Sequence, residues 1–119
     1  SDVVSIHCPL NSESYHLFNQ AAFAKMKPTA VLVNTARGPI VDEAALVEAL
    51  EQEQIAGAAL DVFEQEPKVH PGLLENDRVV LAPHLGSATV EARTAMARMC
   101  AEAVLAVLEG AEKIPYRLV

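Results

Sequence analysis

The stretch VLVNTARGPIVDEAALVEAL, residues 31–50, decides the fold. Its first three residues belong to the apolar run Ala30–Val33, which is followed directly by polar residues. A buried strand of a parallel sheet has this pattern where it ends. Asp42 then occupies the position of a helix N-cap, before a helix that we expect to end near Glu53. A buried strand followed directly by a capped helix predicts a β-α unit.

Strands and helices alternate along the rest of the chain as well. The other predicted strands are the apolar runs Val3–Ile6, Ala58–Val62 and Val79–Ala82. The other predicted helices run from the cap Asn19 to Met26, and from Ser87 or Thr89 to Glu109, where Gly110 follows. The segment between the third and fourth strands is expected to be a loop. This alternation predicts an α/β fold with a parallel sheet and right-handed connections.

The composition narrows the class of protein. With 119 residues the chain forms one domain at most, and its net charge of −7 argues against a nucleic-acid surface, which needs a basic patch. The apolar runs fall well short of the roughly 20 residues of a membrane span, so we expect no membrane segment. Cys8 and Cys100 show no CxxC spacing and the histidines show no ligand spacing, so neither a disulfide framework nor a metal site is predicted. A reducing cytoplasm fits this cysteine usage best.

Polar and ionisable residues follow each predicted strand at the point where it ends. In an open parallel sheet these ends share one edge, and ligands bind beyond it. The residues presented there are His7, Cys8 and Pro9, then Asn34–Gly38, then Asp61, Glu64 and Glu66, and finally Pro83, His84 and Gly86. This convergence predicts a site at the carboxyl edge of the sheet.

Arg37 follows the second predicted strand closely. Its guanidinium offers a planar fork that matches a carboxylate, whereas the alternative is a surface arginine paired with Asp42. Gly38 favours the first interpretation, because a glycine lets backbone or a ligand approach closely.

His84 follows the fourth strand, and taken alone it is most simply a satisfied core histidine. Glu64 or Glu66, after the neighbouring strand, offers it a carboxylate, which favours the charged ring and holds one tautomer. A histidine held in this way donates a proton to a carbonyl and retrieves it in the reverse reaction. The residues alone leave alternatives open, since the glutamates also suit a solvated loop, and Asp61 either contacts a cofactor or caps a turn.

Three segments, in order along the chain, carry a resemblance to a known family. VLVNTARGPIVDEAALVEAL (31–50), GAALDVFEQEP (57–67) and APHLGSAT (82–89) resemble the NAD(P)-dependent D-isomer-specific 2-hydroxyacid dehydrogenases. The resemblance implies a doubly wound, Rossmann-like fold in which residues 1–119 form a single partial domain. That domain is the second half of the dinucleotide-binding domain plus a long C-terminal helix returning toward a substrate domain absent from this chain. The opening on a core strand, without methionine, agrees with a piece of a longer protein.

The resemblance also implies roles for individual residues. Arg37 matches the arginine that binds the substrate carboxylate, and His84 matches the general acid/base. Glu66, rather than Glu64, matches the carboxylate that pairs with this histidine. The implied cofactor contacts are Cys8, Pro9, Thr35, Ala36, Arg37, Asp61, His84 and Gly86.

The implied activity is hydride transfer between NAD or NADP and a small 2-oxo acid, giving a D-2-hydroxy acid. PHLGSAT followed by EART is most similar to the glyoxylate and hydroxypyruvate reductases. The glycine-rich turn and the residue that distinguishes NAD from NADP are expected upstream of Ser1, so these 119 residues alone should be inactive. A homodimeric, cytoplasmic parent enzyme is implied. The alternatives are a dinucleotide-binding, corepressor-like sensor of the same fold, and an α/β fragment with no function of its own.

Overall fold

The structure, a computed structural model, describes residues 1–117 and divides into two compact units, Ser1–His84 and a second unit that begins at Leu85. The first unit is built on a four-stranded parallel sheet of order β1-β2-β3-β4. Its strands are β1 (Val3–Ile6), β2 (Val31–Asn34), β3 (Gly57–Leu60) and β4 (Val79–Leu81). The predicted α/β fold with a parallel sheet is therefore confirmed.

The four strands end level with one another. Ile6 pairs with Asn34, Asn34 with Leu60, and Leu60 with Leu81. The loops that follow the strands consequently start from one edge, as the sequence predicts. The third strand stops at Leu60 rather than at Val62, because its pairing with β4 ends there.

Three α-helices belong to this unit: α1 (Gln20–Phe23), α2 (Glu43–Glu51) and α3 (Pro71–Leu74). A single turn of 3₁₀ helix, Gly38–Ile40, precedes α2. The predicted caps are confirmed, since the side chain of Asn19 accepts from the N–H groups of Ala21 and Ala22, and that of Asp42 accepts from the N–H of Ala45. Both predicted helices are shorter than expected. The predicted end at Met26 is wrong, because the amides of Lys25 and Met26 bond three residues back, to Ala22 and Phe23, and the chain there forms turns rather than α-helix. The second helix ends at Glu51 rather than near Glu53.

The segment predicted as a loop between β3 and β4 contains the short helix α3, so that prediction is corrected. Pro71 stands in its first turn, where the missing N–H of proline costs nothing. Nδ1 of His70 accepts a hydrogen bond from the N–H of Gly72 at 3.2 Å, so a histidine serves as the N-cap. Histidine is an uncommon cap, which is why the pattern of residues did not indicate this helix.

The core of the first unit lies on one face of the sheet. Strand residues of that face, such as Leu32 and Leu60, form one buried cluster with Phe23 of α1 and with Leu46 and Leu50 of α2. The opposite face is far more open, since Val3 is 62% and Val80 69% exposed. Because the sheet buries one face against the helices, the core supports the loops at its carboxyl edge, and these loops remain accessible to solvent.

The second unit contains the long helix α4 (Val90–Leu108), whose N-cap Thr89 accepts from the N–H of Ala92 at 3.1 Å. At its other end Gly110 has φ +70, and the N–H groups of Gly110 and Ala111 bond back to Val107 and Ala106. This is a Schellman ending, so both predicted limits of the helix agree with the structure. Within residues 1–117, no helix is both long and apolar enough to cross a membrane.

Candidate active site

The loops after β1 and β2 enclose a cleft of about 560 Å³ at the carboxyl edge of the sheet. Its lining residues are His7, Cys8, Pro9, Leu10, Thr35, Ala36 and Arg37. Five of the eight predicted cofactor contacts, namely Cys8, Pro9, Thr35, Ala36 and Arg37, therefore line one cleft. Open α/β sheets bind dinucleotides beyond the carboxyl ends of their strands, which is where this cleft lies.

Asn34, the last residue of β2, shapes the loop that lines this cleft. Its side chain is buried; Oδ1 accepts from the N–H of Ala36 at 3.0 Å, and Nδ2 donates to the carbonyl of Arg37 at 3.0 Å. Because both ends of the amide are used, the short turn over residues 35–37 has one defined shape. Arg37 is exposed on this turn, and its Nη1 donates to the carbonyl of Ala36.

Gly38 brings this turn against the loop that follows β3. A β-carbon at residue 38 would overlap the carbonyl group of Phe63, so only glycine allows the two backbones to lie this close. The sequence suggested a close approach by backbone or ligand at Gly38, and the structure assigns it to backbone.

His84 and Glu66 form a direct pair. Nδ1 of His84 lies 2.9 Å from Oε2 of Glu66, and the other oxygen, Oε1, accepts from the N–H of Phe63 at 3.0 Å. The hydrogen bond from His84 is the largest cause that holds the pKa of Glu66 below its ordinary value. The N–H of Phe63 and the positive charges of His84 and Arg37 act in the same direction.

The pairing also decides which ring nitrogen is available. An ionised carboxylate only accepts hydrogen bonds, so Nδ1 of His84 carries the proton toward Glu66 and Nε2 is left to act elsewhere. The backbone of His84 has φ 54, in the left-handed region that costs a non-glycine residue about 1 kcal/mol or more. With its backbone in this unfavourable conformation, His84 places its ring against the carboxylate of Glu66 in the neighbouring loop.

The remaining predicted site residues are Asp61 and Gly86. Asp61 is buried directly after β3, and its N–H donates to the carbonyl of Asn34 at 2.9 Å, which ties the two strand ends together. Gly86 belongs to the second unit, inside the turn closed by the hydrogen bond from the N–H of Ala88 to the carbonyl of Leu85.

Glu64, the other glutamate considered for His84, lies elsewhere. Its Oε1 is 2.8 Å from Nε2 of His16, and its Oε2 accepts from the N–H of Glu43 at 3.3 Å. Asp42, the alternative partner considered for Arg37, caps α2 and lies 3.7 Å from Nδ1 of His16. This cluster of His16, Asp42 and Glu64 could not be predicted from the sequence, because its members are neighbours only in space.

Metal binding was the weaker alternative for these side chains. Over residues 1–117, the structure brings together no group of three or more His, Cys, Asp or Glu side chains placed to hold a metal ion.

A parallel α/β sheet with an arginine and a histidine–carboxylate pair beyond its strand ends is typical of a nucleotide-binding domain that carries its own acid–base group. Residues 1–86 match the family described as D-isomer specific 2-hydroxyacid dehydrogenase, NAD binding domain. The chain belongs to this family, and the resemblance inferred from its three segments is confirmed.

Known relatives agree with this assignment. Glyoxylate reductase of Thermofilum pendens is 61% identical over 112 residues, which cover 92% of this chain and 33% of that protein. Among solved structures, a glyoxylate reductase from Paecilomyes thermophila has a TM-score of 0.90 and 42% identity, covering 98% of this chain and 36% of that one. The NADPH-dependent glyoxylate/hydroxypyruvate reductase of Sinorhizobium meliloti, solved with NADP and malonate, has a TM-score of 0.90 and 36% identity, covering 99% and 40%.

These relatives are much longer than this chain. The chain spans about a third of the length of the curated relatives it matches. The chain nevertheless has the Rossmann-like NAD-binding fold of these relatives.

Proposed function

We propose that this chain is the second half of the cofactor domain of a longer D-2-hydroxyacid dehydrogenase that reduces a small 2-oxo acid of the glyoxylate or hydroxypyruvate type. The single observation that carries the proposal is the 2.9 Å contact between His84 and Glu66, in the unit whose strand-end cleft Arg37 lines. The relatives named glyoxylate reductase support the substrate class.

Arg37 binds the carboxylate of the substrate in this proposal. A guanidinium offers two parallel N–H groups to a carboxylate, which fixes the orientation of a 2-oxo acid as well as its position. A location near the acid–base pair is supported by the contact of Gly38, the next residue, with Phe63, whose N–H donates to Glu66.

His84 supplies the proton. With Nδ1 held by Glu66, the ring donates from Nε2 to the carbonyl oxygen of the substrate, and takes the proton back when the hydroxy acid is oxidised. Glu66 stabilises the charged ring before the transfer, and its lowered pKa keeps it ionised at neutral pH.

The cleft beyond β1 and β2 is the place where the dinucleotide would lie in this proposal. It has a volume of about 560 Å³, and it lies where dinucleotides bind in such sheets. Cys8, Pro9, Thr35 and Ala36 would hold NAD or NADP there. For Asp61, His84 and Gly86, the role of cofactor contact rests on the resemblance to the family. When bound, the reduced nicotinamide supplies the hydride, and the protein supplies orientation and charge.

The proposal extends to the parent protein. We infer a cytoplasmic homodimer, acting on small 2-oxo and 2-hydroxy acids and on neither nucleic acid nor membranes. Residues 1–119 alone are expected to show no turnover, because they span about a third of the relatives' length.

The test is a steady-state assay of the longer protein. NADH and NADPH oxidation is followed with glyoxylate, hydroxypyruvate and pyruvate, beside His84→Gln and Arg37→Ala variants. Turnover that falls at least about 100-fold in both variants supports the proposal. Tight dinucleotide binding without turnover of any 2-oxo acid would favour the sensor instead.

A further inference from the structure

Glu64 lies in the loop after β3, two residues before Glu66, and it is bonded to the start of α2. The N–H of Glu64 donates to Oε1 of Glu43 at 2.8 Å, and the N–H of Glu43 donates to Oε2 of Glu64 at 3.3 Å. Glu43 is only 6% exposed. Each carboxylate thus accepts a backbone N–H of the other residue, and the N-terminal end of a nine-residue helix is a favourable place for negative charge.

His16 completes the attachment of Glu64. Its Nε2 lies 2.8 Å from Oε1 of Glu64, so both oxygens of this carboxylate are used. The carboxylate of Asp42 also faces the imidazole ring of His16, 3.7 Å from its Nδ1. The ring of Tyr15 stacks on the ring of His16, with the ring centroids 4.1 Å apart. Because the side chains of His16 and Glu64 are only 28% and 23% exposed, solvent weakens this contact less than it would a surface pair.

The backbone of His16 is itself held firmly. Its N–H donates to the carbonyl of Pro39 at 2.9 Å, and Phe18 bonds on both sides of Val41, to Ile40 and Asp42. His16 has φ 49, an unfavourable conformation that is kept by these surroundings. Glu64 is therefore attached to a segment whose backbone is hydrogen-bonded to residues 39–42.

This attachment bears on the acid–base pair through Phe63. The N–H of Phe63 is the second hydrogen-bond donor to Glu66, and Phe63 is the residue directly before Glu64. On its other side Phe63 lies against Gly38. A shift of Glu64 would move the Phe63–Glu66 segment, and with it the carboxylate that meets His84.

We propose that Glu64 is a positioning residue, which, held by His16 and Glu43, fixes the loop that presents Glu66 to His84. This inference rests on the proposed function for its effect on turnover. Its effect on the geometry of Glu66 is independent of turnover. Glu64 acts through Glu66 and does not touch the reacting atoms.

The test uses the full-length protein with the variants Glu64→Ala and Glu64→Gln, and Glu51→Ala, an exposed acid of α2, as the matched control. Alanine removes both side-chain contacts. Glutamine keeps them, because its oxygen accepts from Glu43 and its amide group donates to the other tautomer of His16. We expect kcat to fall about tenfold in Glu64→Ala with KM changed less than about twofold, and the activity of Glu64→Gln to stay within about twofold of wild type.

The second readout is the titration of the Glu66 carboxyl carbon by ¹³C NMR. In Glu64→Ala the pKa of Glu66 should rise toward its ordinary value, since the bonds from His84 and Phe63 that lower it are no longer held in place. Should Glu64→Ala fold poorly, His16→Asn replaces it. Asparagine tolerates the left-handed backbone, while its shorter side chain withdraws the donor from Glu64.

The outcomes separate the two proposals. A Glu64→Ala protein with wild-type kcat and unchanged Glu66 titration overturns the positioning role, and so does a Glu64→Gln protein as impaired as the alanine variant, since charge would then be what matters. Absence of turnover in the wild-type protein overturns the proposed function alone, because the Glu66 titration still decides the role of Glu64.

Discussion

The carbonyl group of Phe63 occupies the space that a β-carbon on residue 38 would need. Through this contact between Gly38 and Phe63, the turn that carries Arg37 and the loop that carries Glu66 form one packed structure. The substrate-binding arginine and the acid–base pair of the proposed mechanism are therefore held by the same backbone contact.

Replacing Gly38 by alanine should separate these loops. The new methyl group meets backbone, which has no rotamer to change, so we expect a loss of about 3 kcal/mol in the free energy of unfolding, measured by urea denaturation. The control is Gly110→Ala, where φ is +70 and, among the described residues, no atom lies within 4 Å of the added carbon. That variant should lose only about 1 kcal/mol, the cost of the left-handed backbone. Equal losses in the two variants would contradict the clash at Gly38.

The left-handed backbone of His84 gives a second prediction. The variants His84→Gly and His84→Ala both lose the contact with Glu66, but glycine adopts φ 54 without strain. The glycine variant should therefore be the more stable of the two by about 1 kcal/mol, measured by thermal or urea unfolding. At Ala44, an exposed position within α2, the order reverses, and Ala44→Gly should cost about 1 kcal/mol. An alanine variant at residue 84 as stable as the glycine variant would argue against the strain.

Glu66 predicts a specific dependence of stability on pH. Its pKa in the folded chain is lowered, chiefly by the hydrogen bond from His84, so its stabilising contribution is complete above the unfolded pKa of about 4.3. The contribution is lost as the pH falls through the lower folded value. Urea denaturation between about pH 5 and pH 3 should thus show a smaller loss of stability in Glu66→Gln than in wild type.

A second carboxylate contributes over the same range and serves as the comparison. Arg78, whose Nη2 lies 2.6 Å from Oε1 of Glu53, lowers the pKa of Glu53 through a hydrogen bond and through its charge. The double variant Glu66→Gln, Glu53→Gln should therefore be flatter with pH than either single variant. A Glu66→Gln protein that follows the wild-type curve would contradict the contact with His84.

Arg37→Lys tests the carboxylate-binding role in the longer enzyme. Lysine keeps the positive charge but loses the planar fork, so we expect kcat/KM for the 2-oxo acid to fall about 10- to 100-fold, mainly through KM. Arg78→Lys is the matched control, because Arg78 pairs with Glu53 on the surface and lines none of the cleft. An Arg37→Lys enzyme with unchanged KM would remove Arg37 from substrate binding.

The sequence predicted those parts of the fold that depend on neighbours along the chain. Features that depend on residues close in sequence were predicted well: the four strands, the caps Asn19 and Asp42, and the end of α4 at Gly110. Helix lengths were less well predicted, since the residues after Phe23 form turns, which the same side chains also allow. Helix α3 was not predicted, because its N-cap is a histidine rather than one of the usual capping residues.

The sequence by itself determined which side chains of the site stand beyond the strand ends. Apolar runs followed directly by polar residues show where buried strands end, and the alternation with helices indicates that the strands are parallel. The residues themselves left both glutamates open as partners of His84, and the resemblance implied that Glu66 is the one that pairs with it. The partner of Glu64 was decided by the tertiary structure alone. Glu64 and Glu66 are alike in type and nearly adjacent, yet one meets His16, 48 residues away, and the other meets His84. The choice depends on the path of an irregular loop, which is set by its packing against Gly38 and α2 rather than by any periodic pattern along the chain.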